Sequence, residues 1–119
     1  MIDLNNFDWG WMDEPTDLTH IHTDNSHEHM GQYHKNAITN EIFRDKCYER
    51  FFEVEEGDIV VDIGASVGPF TYSILHKNPK QVFCLEPSER EFKTLVKNLR
   101  GYQVIPIPKG ISNVNSIIK

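Results

Sequence analysis

The chain has 119 residues, 39% of them apolar and 25% charged, and a formal net charge of −6. That composition suits a globular domain with one modest core, and it offers no basic footprint for nucleic acid. No apolar run reaches the about 20 residues that cross a bilayer, and the first residues lack the basic flank and apolar centre of an export signal. Neither a membrane surface nor a nucleic acid is an expected partner, and the cytoplasm is the expected compartment. Cys47 and Cys84 each fall in an apolar pattern, as small buried hydrophobes rather than a disulfide pair.

The charge is unevenly placed. Residues 1–35 hold seven acids (Asp3, Asp8, Asp13, Glu14, Asp17, Asp24 and Glu28) against the single base Lys35, whereas residues 36–119 hold eleven of each sign. The first 35 residues are polar and His-rich, with an aromatic group at Phe7, Trp9 and Trp11. They are expected to form an irregular arm, ordered where those aromatics dock. His20, His22, His27, His29 and His34, with Asp24 and Glu28 among them, could ligate zinc or nickel. Their spacing matches no standard structural zinc motif, so no metal site is expected.

From residue 36 the pattern becomes that of a domain. Ile38, Ile42, Phe43, Cys47, Phe51 and Phe52 recur on one helical face, which predicts a helix over 38–52. A turn comes next at 55–58. Ile59-Val60-Val61-Asp62-Ile63 is nearly all β-branched, the pattern of a parallel strand buried on both faces. After the loop Gly64-Ala65-Ser66-Val67-Gly68, Pro69 suits the first turn of a helix, which runs through Phe70, Ile74 and Leu75 and ends before Pro79. Gln81–Leu85 is a second strand, closed by Glu86-Pro87. Ser88 and Glu91 form a capping-box pattern ahead of Phe92, Leu95, Val96 and Leu99, and Gly101 marks the stop. The third strand, 103–107, carries Pro106 and so reads as an edge. This βαβαβ order predicts an α/β fold: a parallel sheet of about three strands with flanking helices, the partial form of a Rossmann-like domain spanning 36–119.

In such a sheet ligands bind at the carboxyl ends of the strands, near loop amides and a helix N-terminus. Glu86, 22 residues after Gly64, is placed to accept hydrogen bonds from ribose hydroxyls. A dinucleotide fingerprint would want glycine at 64, 66 and 69, but Ser66 and Pro69 stand at two of those places. Asp62, just before the loop, would repel a pyrophosphate and attract a cationic amino-acid group. Both features favour S-adenosylmethionine over NAD.

Val60–Thr71, then Leu85-Glu86-Pro87-Ser88, then Lys97-Asn98-Leu99, resemble the FkbM family of class I S-adenosylmethionine-dependent methyltransferases over about residues 53–115. The resemblance implies O-methyl transfer to a hydroxyl of a sugar or other small metabolite. It also implies that Asp62, Gly64, Ala65 and Gly68 line the methionine end of the cofactor, with Glu86 at the ribose and Pro87 and Ser88 beside the adenine. Ser66 departs from the glycine of the general class I loop, at a place where this family often has asparagine, and is kept as a candidate contact. The family's sheet has seven strands and only three can be counted, so the chain is expected to be a truncated, cofactor-binding part of the domain, inactive alone, with its catalytic base unknown. The alternative is a non-catalytic module that binds a nucleoside cofactor or a metal. In the family's strand order the 59–63 strand would be central. As an edge here, without lysine or proline, it is expected to pair with a second copy, to be covered by the chain's own arm, or to aggregate.

Overall fold

The computed structural model describes residues 6–13, 30–44, 47 and 53–112. In chain order these form a 3₁₀ turn at Gly10–Asp13, helix α1 (Met30–Thr39) continuing into a π-helical turn at Asn40–Arg44, strand β1 (Ile59–Ile63), helix α2 (Pro69–Ile74) with a 3₁₀ turn at Leu75–Lys77, strand β2 (Gln81–Leu85), helix α3 (Glu89–Leu99) and strand β3 (Val104–Ile107).

The sheet is parallel throughout, in the order β1-β2-β3, with Val61 opposite Phe83 and Phe83 opposite Ile105. Each parallel pair is joined through a helix, as parallel strands require. This is a partial Rossmann-like sheet of three strands, and β3 lies at the edge that Pro106 predicted. Period-2 alternation sends Val82 and Cys84 of β2 into the core, where both are fully buried with Ile74 of α2 and Leu95 of α3, and Leu99 packs beside them. Val60 of β1 and Val104 of β3 pack against the same cluster. Both helices therefore cover one face of the sheet.

The opposite face corrects the expectation that β1 is buried on both sides. Ile59, Val61 and Ile63 are 64%, 54% and 60% exposed, and Ile105 of β3 is exposed with them. Among the described residues no second layer of helices covers this face. The outer edge of β1 is equally without a strand neighbour among them.

Three further expectations shift. Of the helix predicted over 38–52, the described residues show the end of α1, which starts earlier and crosses position 35, and the π-helical turn to Arg44. Beyond its π turn, residues 45–46 and 48–52 lie outside the described set. Cys47 is exposed rather than buried; the π-helical turn at Asn40–Arg44 already breaks the 3.6-residue repeat on which the buried expectation rests. Ser88 is the N-cap of α3 in extended conformation, but its side chain makes no cap bond, so the capping box does not form.

The aromatic group of the arm docks. Phe7, Trp9 and Met12 are buried with Val67 of the loop after β1, and Phe7 also meets Tyr72 of α2 at 5.0 Å between ring centroids. This described part of the arm lies on α3 and the loop, not on β1.

Gly68 ends that loop with φ 91°, and a Cβ there would stand 3.1 Å from Leu99 Cδ1. Left-handed backbone and overpacking both penalise a side chain at this point. Gly68→Ala is expected to destabilise the domain by about 1–3 kcal/mol, read as a lowered urea midpoint with unchanged slope.

Candidate functional site

The site is built where β1 and β2 end. Gly64 N and Ala65 N both donate to Leu85 O, at 2.9 and 3.0 Å, so the loop turns directly over the end of β2. It achieves this by taking positive φ at Gly64 (69°), Ser66 (55°) and Gly68 (91°). Glycine adopts such backbone freely; Ser66 does not, and it is held by bonds at both its amide and its hydroxyl. A Cβ on Gly64 would meet no heavy atom within 4 Å, so open space lies in front of the loop's first residue.

Glu86 is only 6% exposed. Its Oε1 accepts from Ser66 N and its Oε2 from Ser88 N, each at 2.8 Å. A carboxylate is costly to bury unless donors surround it, and these are short, charge-assisted bonds. Glu86 thus fastens the loop after β1 to the loop after β2. A carboxylate has about four acceptor positions, so two remain for donors other than these amides.

Asp62 lies one step inside β1. Thr71 Oγ1, from the first turns of α2, donates to its Oδ2 at 2.8 Å. Thr71 has one hydroxyl proton, so the 3.1 Å contact between Thr71 Oγ1 and Cys84 Sγ has the thiol as donor. Burial raises the Asp62 carboxyl above its ordinary value; the bonds from Thr71 oppose this and the nearby Glu86 charge adds to it. Burial likewise pushes the Cys84 thiol up to about 11, which keeps the donor protonated.

The predicted residues Asp62, Gly64, Ala65, Ser66, Gly68, Glu86, Pro87 and Ser88 therefore share one edge of the sheet. Ala65 and Gly68 are buried in the loop, Gly64 is open, and Pro87 is exposed. Several residues at this edge carry no local sign of their contacts. Glu91, whose spacing suggests half of a capping box, instead accepts from Ser66 Oγ at 3.2 Å and from Trp11 Nε1 at 3.3 Å. Asn98 of the Lys97-Asn98-Leu99 motif reaches both the arm and the loop. Among the described residues no group of three or more His, Cys, Asp or Glu could hold a metal. His34 stacks edge-on against Trp11 at 5.4 Å, while His20, His22, Asp24, His27, Glu28 and His29 lie outside the described residues.

No family model matches the chain. Over 78 residues, 64% of this chain, it is 32% identical to the 31-O-demethyl-FK506 methyltransferase FkbM of Streptomyces tacrolimicus, of which that stretch is 30%. Three solved structures show partial likeness. One, named as an RNA methyltransferase of Pyrococcus horikoshii, is 26% identical over 68% of this chain and 40% of its own, with a TM-score of 0.46. Another, named as an rRNA methylase of Clostridium thermocellum, is 25% identical over 60% of this chain and 41% of its own, with a TM-score of 0.49. A SAM-dependent methyltransferase of Leishmania major is 20% identical over 69% of this chain and 32% of its own, with a TM-score of 0.48. Each of these proteins is named as a methyltransferase. The chain is similar to the FkbM protein over that stretch and spans 30% of its length.

Because burial raises the Asp62 carboxyl, folding favours its neutral form more than the unfolded chain does. Its contribution to stability is complete below the ordinary carboxyl range and is lost as pH rises through the raised value. Asp62→Asn keeps an acceptor for Thr71 without the charge. It is expected to melt at or above the wild-type temperature at pH 7, with the difference shrinking toward pH 4 in thermal denaturation at the two pH values.

Proposed function

We propose that this chain is the cofactor-binding part of a methyltransferase that uses S-adenosylmethionine and methylates a hydroxyl of a sugar or other small metabolite. The observation that carries the cofactor assignment is Glu86, fixed under the glycine loop with two acceptor positions to spare. Diol hydroxyls of a ribose suit those positions. Asp62 beside it makes the pocket anionic, which suits a sulfonium and an ammonium and opposes a pyrophosphate. The open space before Gly64 supplies room for the ligand against the loop. The hydroxyl acceptor rests on similarity to the FkbM protein alone.

S-adenosylmethionine would supply an electrophilic methyl group. The chain's own residues bind and orient: Gly64, Ala65 and Gly68 shape the loop, Ser66 and Ser88 hold Glu86 through their amides, and Pro87 and Ser88 border the adenine position. Catalysis of this kind depends mainly on aligning the nucleophile. No residue is assigned as its general base.

The burial of Glu86 and the two amides it already holds favour a second reading, a non-catalytic module in which this acid only ties two loops together. Titration calorimetry separates the two. S-adenosylhomocysteine is expected to bind more tightly than NADH, and Glu86→Gln, which retains one acceptor for the loop amides, to weaken it about 10–100-fold. Equal affinity in Glu86→Gln, or preference for NADH, decides against the cofactor reading.

The same proposal includes self-association through β1. Pairing of two copies along its outer edge would satisfy backbone groups that have no strand partner among the described residues. Sedimentation velocity is expected to show a dimer that Val61→Lys converts to monomer, since a charged edge deters pairing. A wild-type monomer at every concentration would remove this part.

A further inference from the structure

Helix α3 has two stripes. Phe92, Leu95, Val96 and Leu99 face the sheet, whereas Glu91, Thr94 and Asn98 succeed one another at helical spacing along a second line. Every member of that second line meets residues 7–13, the loop after β1, or both. Asn98 Oδ1 accepts from Asp8 N at 3.1 Å, and its Nδ2 donates to Asp8 O at 2.7 Å and to Val67 O at 2.9 Å. One amide side chain therefore pairs with the arm's backbone as a strand would, and with the loop at the same time.

At the other end of the stripe, Glu91 Oε1 joins Trp11 of the arm to Ser66 of the loop. Between them Gly10 lies so close that a Cβ would stand 3.1 Å from Thr94 Oγ1 and 3.5 Å from Val67 Cγ1. Asp8 adds two bonds of its own, accepting from Gly10 N at 2.8 Å and from Lys97 Nζ at 2.7 Å. Residues 7–13 are thus a strap laid along α3 and closed over the back of the loop.

We infer that Glu91 and Asn98 are positioning residues: through the strap, Val67 and Ser66 they hold the 64–68 loop in the conformation that seats Glu86, so that strap docking and ligand binding at the loop are coupled. The ligand half of this inference rests on the cofactor reading proposed above; the coupling of strap to loop does not. Ser66 is the point of contact. Its hydroxyl bonds to Glu91 on the strap side and its amide to Glu86 on the ligand side. A non-glycine residue at φ 55° stays there only while its surroundings hold it. Coupling between the two sites is reciprocal by thermodynamic necessity.

The test uses the full chain and three variants: Asn98→Ala, Asn98→Asp, and Gly10→Val, which lifts the strap from Thr94 without removing a loop hydrogen bond. Amide hydrogen exchange is monitored at Trp9 and Met12 in the strap, Ser66 and Gly68 in the loop, and Val82 and Glu86 at β2. Asn98→Ala and Gly10→Val are expected to speed exchange at the strap and at Ser66 by about tenfold, with Val82 unchanged and Trp11 emission shifted to the red. Asn98→Asp keeps the acceptor for Asp8 N but loses both donor bonds, and is expected to behave like Asn98→Ala rather than like wild type.

Strap amides that open while Ser66 keeps its wild-type rate would overturn the inference. If Asn98→Ala loses protection at Val82 as well, the domain has unfolded and Gly10→Val decides by the same criterion. Titration with S-adenosylhomocysteine supplies the ligand arm, in which a released strap is expected to weaken binding by the factor seen at Ser66. Wild-type affinity in a strap-released variant overturns the coupling to ligand. Absence of binding to wild type overturns the cofactor reading instead, and the exchange rates still decide whether strap and loop move together.

Discussion

A carboxylate buried at the end of a parallel strand must find donors, and Glu86 finds them in two different loops. Ser66 N comes from the loop after β1 and Ser88 N from the start of α3, so a single side chain sets the spacing between the two segments that border the candidate site. The left-handed turns at Gly64, Ser66 and Gly68 bring the Ser66 amide to it. The Glu91 half of a capping box is missing for the same reason, since the Ser88 amide is bonded to Glu86 while the Glu91 carboxylate is taken by Ser66 and Trp11. A role in loop architecture and a role in ligand binding are compatible, because amides occupy one acceptor position on each oxygen and leave another.

The second acid works differently. Asp62 is tied to α2 through Thr71, and Cys84 of β2 completes the chain of donors behind it. Its burial costs stability at neutral pH, and such a cost retained at a sheet edge beside a glycine loop is a common mark of a binding site. Glu86 and Asp62 stand together at this edge, and the proposed preference for a sulfonium nucleoside over a dinucleotide rests on that pair of acids.

The layering is asymmetric. Both helices pack on one side, where Val82, Cys84, Leu95 and Ile74 exclude water completely. The other side presents Ile59, Val61, Ile63 and Ile105. A sheet of this composition is stable when a second layer is present. The docked aromatics of residues 7–12 do not serve that purpose; they build a second small core around Val67, on the side of the helices.

Local chemistry made much of this legible from the chain itself. The β-branched run at 59–63, the 3.6-residue spacing of Phe92, Leu95 and Leu99, Pro69 at a helix start and Gly101 at a stop each act over a few residues, and all appear where their patterns put them. The glycine loop and Glu86 were readable for the same reason, since motif spacing fixes which strand end each residue occupies. Long-range contacts were not legible. Whether a β-branched strand is covered on one face or two depends on layers elsewhere in space, so β1 read as doubly buried and is not. Glu91 satisfied a local capping pattern and was diverted by partners 25 and 80 residues away. Asn98 was visible as part of a motif, but its work depends on Asp8, 90 residues earlier, and on Val67. Periodicity and propensity determine the elements, their order and the strand ends that carry the acids; only the packing of distant segments decides which acceptor each donor meets and which apolar face is left to water.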